Sequence, residues 1–570
     1  MAILSFKGKS IIQNHHLAVK YHELIPVKKK SLTSKVSLKD NLIIYGDNLK
    51  ALKALLPTYA GKIKCIYIDP PYNTGKQSWK YNDNVNSPMM QEWLGKEVDR
   101  EDLTRHDKWL CMMMPRLKLL RELMTDDGVV FVSIDDNELY HLRDILDDVF
   151  GEENWVGTIV WKNVTDNNPT NIAIEHEYVI CFGKRKEALS PEWKSLLSPT
   201  KDALIRIAKE LNAKYESAEE LSKSYRSWYL ENKPYLWPLD RYKHIDKGGV
   251  YTGSQSVHNP GREGYRYDVM HPVTGKPCQQ PLMGYRFPPE TMKELLSKGR
   301  ILFGNDETKI IELKLYADEF EDKLSSVITL DGRLGAYELR EIFPESTKTF
   351  DNPKPTVLIE QLLSFAAGKH DIVLDSFAGS GTTAHALLRL NNRDKGQRRF
   401  ILIECEDYAD SITAERVKRV INGMPGAKDP NLEKGLGGSF SFFELGEPIE
   451  MESILEGSRL PSYLDLARYV FYTATGEEFL PEQVDEDKRF IGESKEYEVY
   501  LFYKPVLDYL KSTALTLEVA KALGDYTGKK KLVFAPTKYL DLNDSELLAK
   551  HGLKDIEYCQ LPFEIYKLRE

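Results

Sequence analysis

The sequence predicts an α/β protein organised around a mostly parallel β-sheet. Short apolar runs that end at polar turns alternate with segments of helical periodicity between residues 41 and 184, and the alternation returns between 346 and 445. Such a pattern is typical of a parallel sheet covered by helices. The composition agrees, since 42% hydrophobic and 29% charged residues in a chain of 570 are typical of a globular protein with several domains and exclude a disordered chain.

The first half of the pattern is the clearest. A buried-strand run at 42–45 ends at Gly46, and leucines then recur at helical spacing. A second strand, at 65–68, stops at a turn that begins with Asp69. The remaining elements are a helix at 109–124, a strand at 129–132, a helix with one apolar face at 139–149, and two closing strands at 158–161 and 177–182.

Residues 185–345 are richer in Tyr, Trp, Pro and basic residues than their flanks, and we interpret them as an inserted domain. After them the alternation resumes, and 446–570 is predicted to be a separate acidic α/β domain. The elements between these two regions are a helix at 355–367, a strand at 372–375, a glycine-rich turn, a helix from Thr383 and a strand at 400–403.

The net charge of −9 and the pI near 5.9 argue at first against a polyanionic partner. The charge is unevenly distributed, however, because residues 446–570 carry 16 basic and 24 acidic side chains, a balance of −8. The first 445 residues therefore carry only −1, and within them residues 1–40 hold eight Lys against two acids. We expect basic surfaces on this N-terminal arm and on the insertion.

The sequence also bears on compartment and metal content. No stretch approaches the ~18 consecutive apolar residues of a membrane helix, and residues 1–16 lack the apolar run of a signal peptide. We therefore expect a cytoplasmic protein with no membrane contact. The six cysteines never occur as CxxC pairs, so a structural zinc site is not expected.

A glycine-rich turn follows the strand at 372–375 and reads Asp375-Ser376-Phe377-Ala378-Gly379-Ser380-Gly381-Thr382-Thr383. Glycines in such a turn let backbone amides approach a ligand at the N-terminus of the next helix. The Lys of a GxxxxGK phosphate loop is absent, which argues against ATP hydrolysis. Glu404 ends the next strand, where a carboxylate can accept hydrogen bonds from ribose hydroxyls. A tight turn and an unrelated surface acid explain either feature alone equally well.

The turn Asp69-Pro70-Pro71-Tyr72 is the stronger signal. Two consecutive prolines fix the local φ angles and make the turn rigid and rich in acceptors. An Asp carboxylate and a Pro carbonyl can accept both N–H bonds of an exocyclic amine, which favours the tetrahedral nitrogen of a methyl-transfer transition state. Tyr72 can stack on a base turned out of its helix. For this motif alone, the alternative is a strand-ending turn with a buried aromatic.

Together, the two motifs resemble those of the S-adenosylmethionine-dependent amino-methyltransferases of DNA, in the circularly permuted order of the beta group. Further segments resemble the modification (Mod) subunits of type III restriction-modification systems and their relatives. The segments that carry this resemblance are Tyr45 to Asn48, Asp69 to Gly75, Lys108 to Leu110, Met114 to Leu117, Ser133 to Glu138, Phe150 to Glu152, Lys354-Pro355 and Phe377 to Thr383. The resemblance implies a circularly permuted Rossmann-like methyltransferase sheet with an inserted target-recognition domain and a C-terminal α/β domain.

The resemblance also implies roles for individual residues. The catalytic residues would be Asp69, Pro70, Pro71 and Tyr72, and Asp at the head of the loop is more similar to the N6-adenine enzymes than to the N4-cytosine enzymes. The cofactor S-adenosylmethionine would be bound by Asp47, Asp69, Lys354, Pro355, Asp375, Phe377, Gly379, Gly381, Thr382, Thr383 and Glu404. Glu406 is an alternative to Glu404 beside the ribose, and a solvated Lys before a helix is the alternative for Lys354.

Target DNA would be bound by the insertion, whose basic residues alternate with tyrosines in a mixture that suits phosphate contacts and base stacking. The candidate DNA-binding residues are Arg241, Lys243, Lys247, Arg262, Arg266, Lys276 and Arg286. Some tyrosines must instead form the core of this domain, and some basic side chains are expected to be merely solvated. The polar segment 77–105 is predicted to order over the substrate, with an ordinary surface excursion as the alternative. No metal is expected, because methyl transfer by in-line displacement needs none.

The predicted domains are a basic N-terminal arm (1–40), the catalytic half of the methyltransferase domain (41–184), a target-recognition insertion (185–345), the cofactor-binding half (346–445) and an acidic C-terminal domain for dimer or partner contacts (446–570). The predicted function is site-specific methylation of the N6 amine of a flipped adenine in double-stranded DNA, within a restriction-modification or phage-defence system. The alternatives are a DNA-recognition scaffold for a separate helicase-nuclease, an orphan methyltransferase and, less favoured, an RNA methyltransferase. A homodimer is expected, and a helicase-nuclease (Res-type) partner would supply cleavage, since this chain lacks a Walker loop.

Overall fold

The computed structural model describes residues 4–74, 104–164, 171–195, 198–233, 236, 238–259, 261–346, 349–449, 460–524, 526–540, 542, 553 and 555–561. The chain divides into two compact units. The first unit comprises residues 1–191 and 325–570, and the second comprises residues 192–324.

The strands, in chain order, are β1 (His22–Pro26), β2 (Leu42–Tyr45), β3 (Ile63–Ile68), β4 (Met124–Ile134), β5 (Trp155–Lys162), β6 (His176–Gly183), β7 (Lys194–Ser195), β8 (His244–Asp246), β9 (Gly249–Ser254), β10 (Ile301–Leu302), β11 (Glu312–Tyr316), β12 (Asp322–Lys323), β13 (Val327–Thr329), β14 (Ile372–Asp375), β15 (Arg399–Glu404), β16 (Ser441–Pro448), β17 (Phe490–Glu493), β18 (Tyr497–Leu501), β19 (Lys530–Ala535) and β20 (Ile556–Gln560). The α-helices are α1 (Lys9–Ile12), α2 (His15–Ala18), α3 (Asn48–Tyr59), α4 (Arg105–Leu123), α5 (Leu139–Phe150), α6 (Pro199–Lys214), α7 (Ala218–Asn232), α8 (Pro289–Ser297), α9 (Arg333–Ile342), α10 (Thr356–Ala366), α11 (Thr382–Asp394), α12 (Glu415–Asn422), α13 (Pro430–Lys434), α14 (Tyr463–Thr475), α15 (Leu507–Ser512) and α16 (Leu517–Ala522).

A ten-stranded sheet forms the centre of the first unit, in the order β1-β16-β2-β15-β14-β3-β4-β6-β5-β13. The six strands from β16 to β4 in this order run parallel to one another. Strand β1 is antiparallel to β16, and β6 is antiparallel to both β4 and β5. The predicted α/β class with a mostly parallel sheet is therefore confirmed.

Burial explains why the central strands are continuously apolar rather than alternating. Every residue of β14 is buried, and in β2 and β3 all but one residue are buried. Because successive side chains of a strand point to opposite faces, both faces of the sheet must be covered here. Alternate residues of these strands, on one face of the sheet, belong to a large apolar cluster with leucines and methionines of α3 and α4.

Strand pairing also confirms the circularly permuted order. Strand β15, late in the chain, pairs in parallel with β2, so that Glu404 lies opposite Tyr45. On its other side β15 pairs with β14, which in turn pairs with β3. The turns after β2, β15, β14 and β3 therefore lie side by side at one edge of the sheet, where parallel α/β sheets bind ligands.

The two outer regions of the sheet contain strands that periodicity did not predict. Strand β1 pairs with β16, and Lys30 of the predicted N-terminal arm forms an ion pair with Glu444 of β16 at 3.0 Å. Part of residues 1–40 is thus built into the sheet instead of extending from it as an arm. Strand β13 pairs with β5, so residues 325–345, predicted to belong to the insertion, lie with the first unit.

The second unit, residues 192–324, has its own four-stranded sheet in the order β10-β11-β9-β8 and a two-stranded sheet of β12 and β7. Two apolar clusters support it. One contains the fully buried Leu204 and Leu239, and the other contains Val257 and Tyr285. The unit ends before the predicted boundary at 345 because strand β13 belongs to the large sheet. It begins at 192 and not at 185, and the N–H of Lys186 donates to Asn154 Oδ1 in the first unit.

Residues after 446 form a further four-stranded sheet, β17-β18-β19-β20, which is mainly parallel. This sheet has apolar clusters of its own on both faces. The backbone N–H of Phe479 also donates to the carbonyl of Pro57 in α3, and the region is part of the first compact unit. No helix in the described part of the chain has the length and apolarity that a bilayer crossing requires.

Candidate active site

Four carboxylates meet at the carboxyl edge of the central strands. Asp69 follows β3, Asp375 ends β14, Glu404 ends β15, and Asp47 follows β2 one residue after Gly46. Adjacent pairing of these strands therefore collects the predicted residues of both motifs at one place. The sheet topology, and not proximity in the chain, brings the Asp69 turn next to the glycine-rich turn.

The two carboxylate oxygens of Asp69 lie in different environments. Its Oδ2 accepts a hydrogen bond from Lys354 Nζ at 2.8 Å. Its Oδ1 is buried and has no hydrogen-bond partner within the described residues. An unpartnered buried carboxylate oxygen is costly unless a ligand supplies the donor, so Oδ1 is available to an incoming N–H group.

Tyr72 is held by a residue that the sequence analysis did not select. Its hydroxyl donates to Glu177 Oε2 at 2.9 Å, and Asn163 Nδ2 donates to Glu177 Oε1 at 2.7 Å. Burial, followed by the nearby charges of Asp69 and Glu177, raises the pKa of Tyr72 well above its ordinary value. Tyr72 therefore remains a neutral phenol with a fixed ring.

Lys354 lies among these groups with its side chain only 11% exposed. Its ammonium is 3.4 Å from Glu177 Oε2 and lies over the Tyr72 ring, 4.9 Å from the centroid. Burial alone would lower the pKa of Lys354, but the carboxylates of Asp69 and Glu177 overcome this effect and raise it. Lys354 is thus a charged part of the site and not a solvated Lys. Its neighbour Pro355 is buried and is the N-cap residue of α10, so the helix begins one residue after the predicted start.

The prolines of the turn are not equivalent. Trp109 Nε1, in α4, donates to the carbonyl of Pro71 at 2.7 Å. This carbonyl is therefore engaged by the protein. Pro70 is buried beside Asp69.

The glycine-rich turn is tied to Glu404. Gly379 has φ of 52° and donates its N–H to Glu404 Oε2 at 2.7 Å, and Glu404 Oε1 accepts from the N–H groups of Cys405 and Glu406. Glu404 therefore accepts three backbone hydrogen bonds. Burial raises the pKa of Glu404, although these backbone hydrogen bonds oppose the shift. The alternative residue, Glu406, is exposed.

Asp375 and Thr383 hold the two ends of the same turn together. Asp375 Oδ1 accepts from the N–H of Phe377 at 3.0 Å, and Oδ2 accepts from the Thr383 hydroxyl at 2.5 Å. Burial raises the pKa of Asp375 to about 7, against the effect of these two hydrogen bonds. Asp375 therefore stabilises the conformation of the glycine-rich turn through these two hydrogen bonds.

Arg416 of α12 is a second residue that sequence reasoning missed. Its guanidinium is fully buried and donates to the hydroxyls of Ser380 and Thr382, both at 2.8 Å. Burial lowers the pKa of Arg416 to about 10. Gly381 begins the helix at Thr382 with φ of 80°, a conformation that favours glycine.

Asp47 caps α3 by accepting from the N–H of Lys50 and lies 3.6 Å from Arg116 Nη2. Its neighbour Asn48 donates to the carbonyl of Ser376 at 2.9 Å and accepts from Arg116 Nε at 2.6 Å. This network connects the turn after β2 to the glycine-rich turn. Asp47 itself remains 26% exposed, so a ligand can reach it.

All seven predicted DNA-binding residues lie in the second unit and are exposed. Arg266 donates to the carbonyls of Pro281 and Leu282, and Lys276 pairs with Glu307 at 3.1 Å. Of the tyrosines between them, those at 242 and 285 are buried in the core of the unit, as some were expected to be. The predicted substrate-covering segment 77–105 lies almost wholly outside the described residues.

Glu177 and Arg416 were not selected as site residues from the sequence, for topological reasons. Glu177 is the second residue of strand β6, whereas acids at the carboxyl edge of a parallel sheet end strands. Strand β6 is antiparallel to β4, so its first residues reach the edge where β3 ends. Arg416 had one available signal, since it is a charged residue on the apolar face of α12.

The fold and the paired turns define an α/β chain with a permuted methyltransferase sheet. The profile of the DNA methylase family matches residues 63–415, which is more than half of the chain. The chain therefore belongs to the DNA methylase family.

Curated relatives agree with this family. The chain is 53% identical over 378 residues to the type III restriction-modification enzyme EcoP15I Mod subunit of Escherichia coli, a match that covers 64% of this chain and 58% of that protein. It is 30% identical over 438 residues to the StyLTI Mod subunit of Salmonella typhimurium, covering 72% and 61%. It is 30% identical over 394 residues to the type II methyltransferase M.KpnI of Klebsiella pneumoniae, covering 64% and 80%. The matches thus span about three fifths of the length of the two Mod subunits.

Proposed function

We propose that this chain is a site-specific DNA methyltransferase that transfers a methyl group from S-adenosylmethionine to the N6 amine of a flipped adenine. The observation that carries the proposal is Asp69, with Oδ2 held by Lys354 and Oδ1 buried without a partner in the described structure. Such an oxygen suits the N–H of an amine. The names of the relatives, Mod subunits and methyltransferases, support the same activity.

The residues of the glycine-rich turn fit the cofactor. At Gly379 a Cβ atom would lie 3.2 Å from the Phe350 ring, so only glycine keeps this part of the turn open. Glu404 would accept from the ribose hydroxyls, and Asp47 would lie beside the adenine of the cofactor. Asp375, Phe377, Gly381, Thr382, Thr383, Lys354 and Pro355 would form or support the methionine side. When bound, S-adenosylmethionine supplies an electrophilic methyl group.

The catalytic turn would then activate the amine by accepting its hydrogen bonds. Asp69 Oδ1 accepts one N–H, and the Pro70 carbonyl accepts the other, since Trp109 occupies the Pro71 carbonyl. These acceptors favour a tetrahedral nitrogen whose lone pair is no longer delocalised into the ring. Tyr72 stacks on the base, held in orientation by Glu177, and a neutral phenol face suits such stacking.

The decisive experiment incubates the purified chain with unmethylated DNA and labelled S-adenosylmethionine, and maps methylated bases by sequencing. We expect N6-methyladenine at one recurrent motif and none with Asp69→Ala. Methylation of cytosine N4 would overturn the choice of base, and complete absence of methylation in both host and plasmid DNA would overturn the activity. Acting on cellular DNA, such an enzyme would work in the cytoplasm.

A second proposal concerns partners. We infer that the chain is the modification subunit of a type III system, in which it forms a homodimer and recruits a helicase-nuclease. The names of the Mod relatives support a subunit role, and the acidic balance of residues 446–570 suits a protein contact better than DNA. Size-exclusion chromatography with light scattering tests the dimer, and co-purification with the product of an adjacent helicase-nuclease gene tests the partner. A monomer with no such neighbouring gene would favour an orphan methyltransferase.

A further inference from the structure

A cluster of two histidines and a glutamate lies next to the catalytic turn and takes no part in the proposed chemistry. It consists of His106 in the first turn of α4, Glu138 immediately before α5, and His141 in the first turn of α5. One potential ligand atom from each residue lies within 4.8 Å of the other two. No ligand spacing in the sequence reveals it, because His106 is distant in the chain from the other two.

The geometry converges on one carboxylate. His106 Nδ1 is 2.7 Å from Glu138 Oε1, and His141 Nδ1 is 2.8 Å from Oε2. The two imidazole rings are 4.7 Å apart and inclined by 34°. Donor atoms bound to a common zinc ion at about 2.0–2.2 Å lie roughly 3 Å apart, so small displacements would admit a cation between them.

Burial gives a reason for a cation at this place. The Glu138 side chain is 0% exposed, and buried carboxylates are paired with charges or coordinate metals. Within the described part of the chain, the side-chain groups that contact it are the two imidazoles and the amide of Asn73. Both imidazoles are partly open to solvent, at 33% and 40% exposure, which supplies an entry path and a position for water.

The donor set selects the kind of metal. Two imidazole nitrogens and one carboxylate match the ligand sets of zinc sites that keep an open position, and they do not match the all-oxygen sets of magnesium or calcium. Asn73 Nδ2 donates to Glu138 Oε1 at 2.5 Å and would orient the carboxylate as an outer-sphere partner. We propose that His106, Glu138 and His141 form a binding site for a divalent transition metal of the zinc type.

The consequence of occupancy is structural. Asn73 directly follows Tyr72 and has φ of 56°, in the left-handed region that Asn adopts more readily than most other non-glycine residues. A metal on Glu138 would hold together the start of α4, the start of α5 and, through Asn73, the end of the catalytic turn. The metal takes no part in methyl transfer and would act by restraining this turn.

Metal binding can be tested on the full chain without DNA or S-adenosylmethionine, so its failure is separate from a failure of the proposed function. Protein freed of metal with a chelator is titrated with Zn²⁺ against a chromophoric chelator. We expect one tight equivalent, at least about tenfold weaker binding in His106→Ala and His141→Ala, and no competition from Mg²⁺. The exposed His370, outside the cluster, provides the matched control His370→Ala, which should bind as the wild type does.

X-ray absorption at the zinc edge of the loaded wild-type protein avoids any dependence on how the variants fold. Two imidazoles and oxygen donors at about 2.0–2.1 Å are expected in the first shell. A sulfur shell would assign the ion to a cysteine instead. That result would overturn the proposed metal site. So would the absence of a tight equivalent of Zn²⁺, or equal Zn²⁺ binding by the His141→Ala and His370→Ala variants. The three residues would then be a hydrogen-bonded cluster without metal.

Discussion

Lys354 shares its ammonium group between two carboxylates, Asp69 and Glu177, and therefore links the catalytic turn to strand β6. The two carboxylates maintain the positive charge against the effect of burial. The same Glu177 accepts from Tyr72, so one side chain orients both the ring and the cation. At the residue scale, Glu177 is thus a positioning residue for the proposed reaction.

Glu177→Gln should lower the pKa of Lys354, because one of the two carboxylates that raise it is lost while burial still lowers it. Lys354 would then lose its proton at a lower pH, and the alkaline limb of the kcat profile should move to lower pH. At neutral pH we expect kcat to fall about tenfold with little change in KM, since a charge-assisted hydrogen bond is replaced by a neutral one. Steady-state adenine methylation across pH measures both effects.

The matched control is Glu175→Gln, two residues earlier, where Glu175 pairs with Lys162 and does not contact the site. This variant should keep the wild-type pH profile. An unchanged alkaline limb in Glu177→Gln would show that Glu177 does not set the charge of Lys354.

The raised pKa of Asp375 predicts that the stability of the folded protein depends on pH. Its folded pKa of about 7 lies above the unfolded value near 3.8, so the unfolded chain ionises first as pH rises. As pH rises from about 4 to about 7, ionisation of this residue therefore lowers the free energy of unfolding progressively, by up to about 4 kcal/mol. Above that range the destabilisation stays constant. Asp375→Asn removes the ionisation while keeping groups that can bond Phe377 and Thr383.

We expect Asp375→Asn to raise Tm relative to the wild type more at pH about 8 than at pH about 5, because only the wild type carries the ionisation cost at the higher pH. Differential scanning calorimetry at the two pH values measures the difference. Equal differences in Tm at both values would contradict the raised pKa of Asp375.

At the element scale, the site depends on the order of strands more than on any single strand. The pairing of β14 with β3 places the glycine-rich turn beside the Asp69 turn, although the two turns are about half the chain apart. Helices α3, α4, α10 and α12 then supply Asn48, Trp109, Thr356 and Arg416 as supports from outside the turns.

Gly379→Ala tests the glycine-rich turn. The substitution adds a Cβ at 3.2 Å from the Phe350 ring and forces alanine into φ of 52°, so the turn must shift away from its hydrogen bond with Glu404. We expect the affinity for S-adenosylmethionine to fall at least about tenfold, measured by calorimetric titration.

Gly426→Ala is the matched control, since Gly426 also has a positive φ, 84°, but a Cβ there would meet nothing within 4 Å. Both variants carry the left-handed strain of about 1–2 kcal/mol. The control should therefore lose comparable stability and keep its cofactor affinity. Equal affinities in the two variants would refute the role of Gly379 in the cofactor turn.

At the scale of the whole molecule, the net charge of −9 is unevenly distributed between regions of the chain. The C-terminal 125 residues account for −8 of it, whereas the exposed basic residues of the second unit form the candidate surface for DNA. A global pI near 5.9 is thus compatible with a nucleic-acid partner.

Lys243→Ala and Arg286→Ala should weaken DNA binding and reduce the slope of log K against log salt by about 1 each, as expected for lost phosphate contacts. Affinity for S-adenosylmethionine should not change. Lys298→Ala is the control, because Lys298 is an exposed Lys of the same unit that pairs with Glu294. Fluorescence anisotropy at several salt concentrations gives the slopes, and identical slopes for all three variants would exclude Lys243 and Arg286 from the DNA surface.

The sequence by itself determined the α/β class, the central strands and the two turns, because each depends on consecutive residues: apolar runs form strands, and Asp-Pro-Pro-Tyr and glycine-rich segments form particular turns. It also indicated the permuted order, which the pairing of β15 with β2 confirms.

Only the tertiary structure decided what surrounds those turns. Glu177, Arg416, Trp109 and the cluster around Glu138 come from segments that local periodicity treats as ordinary strand or helix. Their positions depend on strand order, on the antiparallel direction of β6 and on helix packing, which are set by burial over the whole chain. The sequence identifies the two turns that form the candidate site. Contacts with residues distant in the chain decide which atoms of those turns are hydrogen-bonded, which groups are charged and which acceptor is available to a ligand.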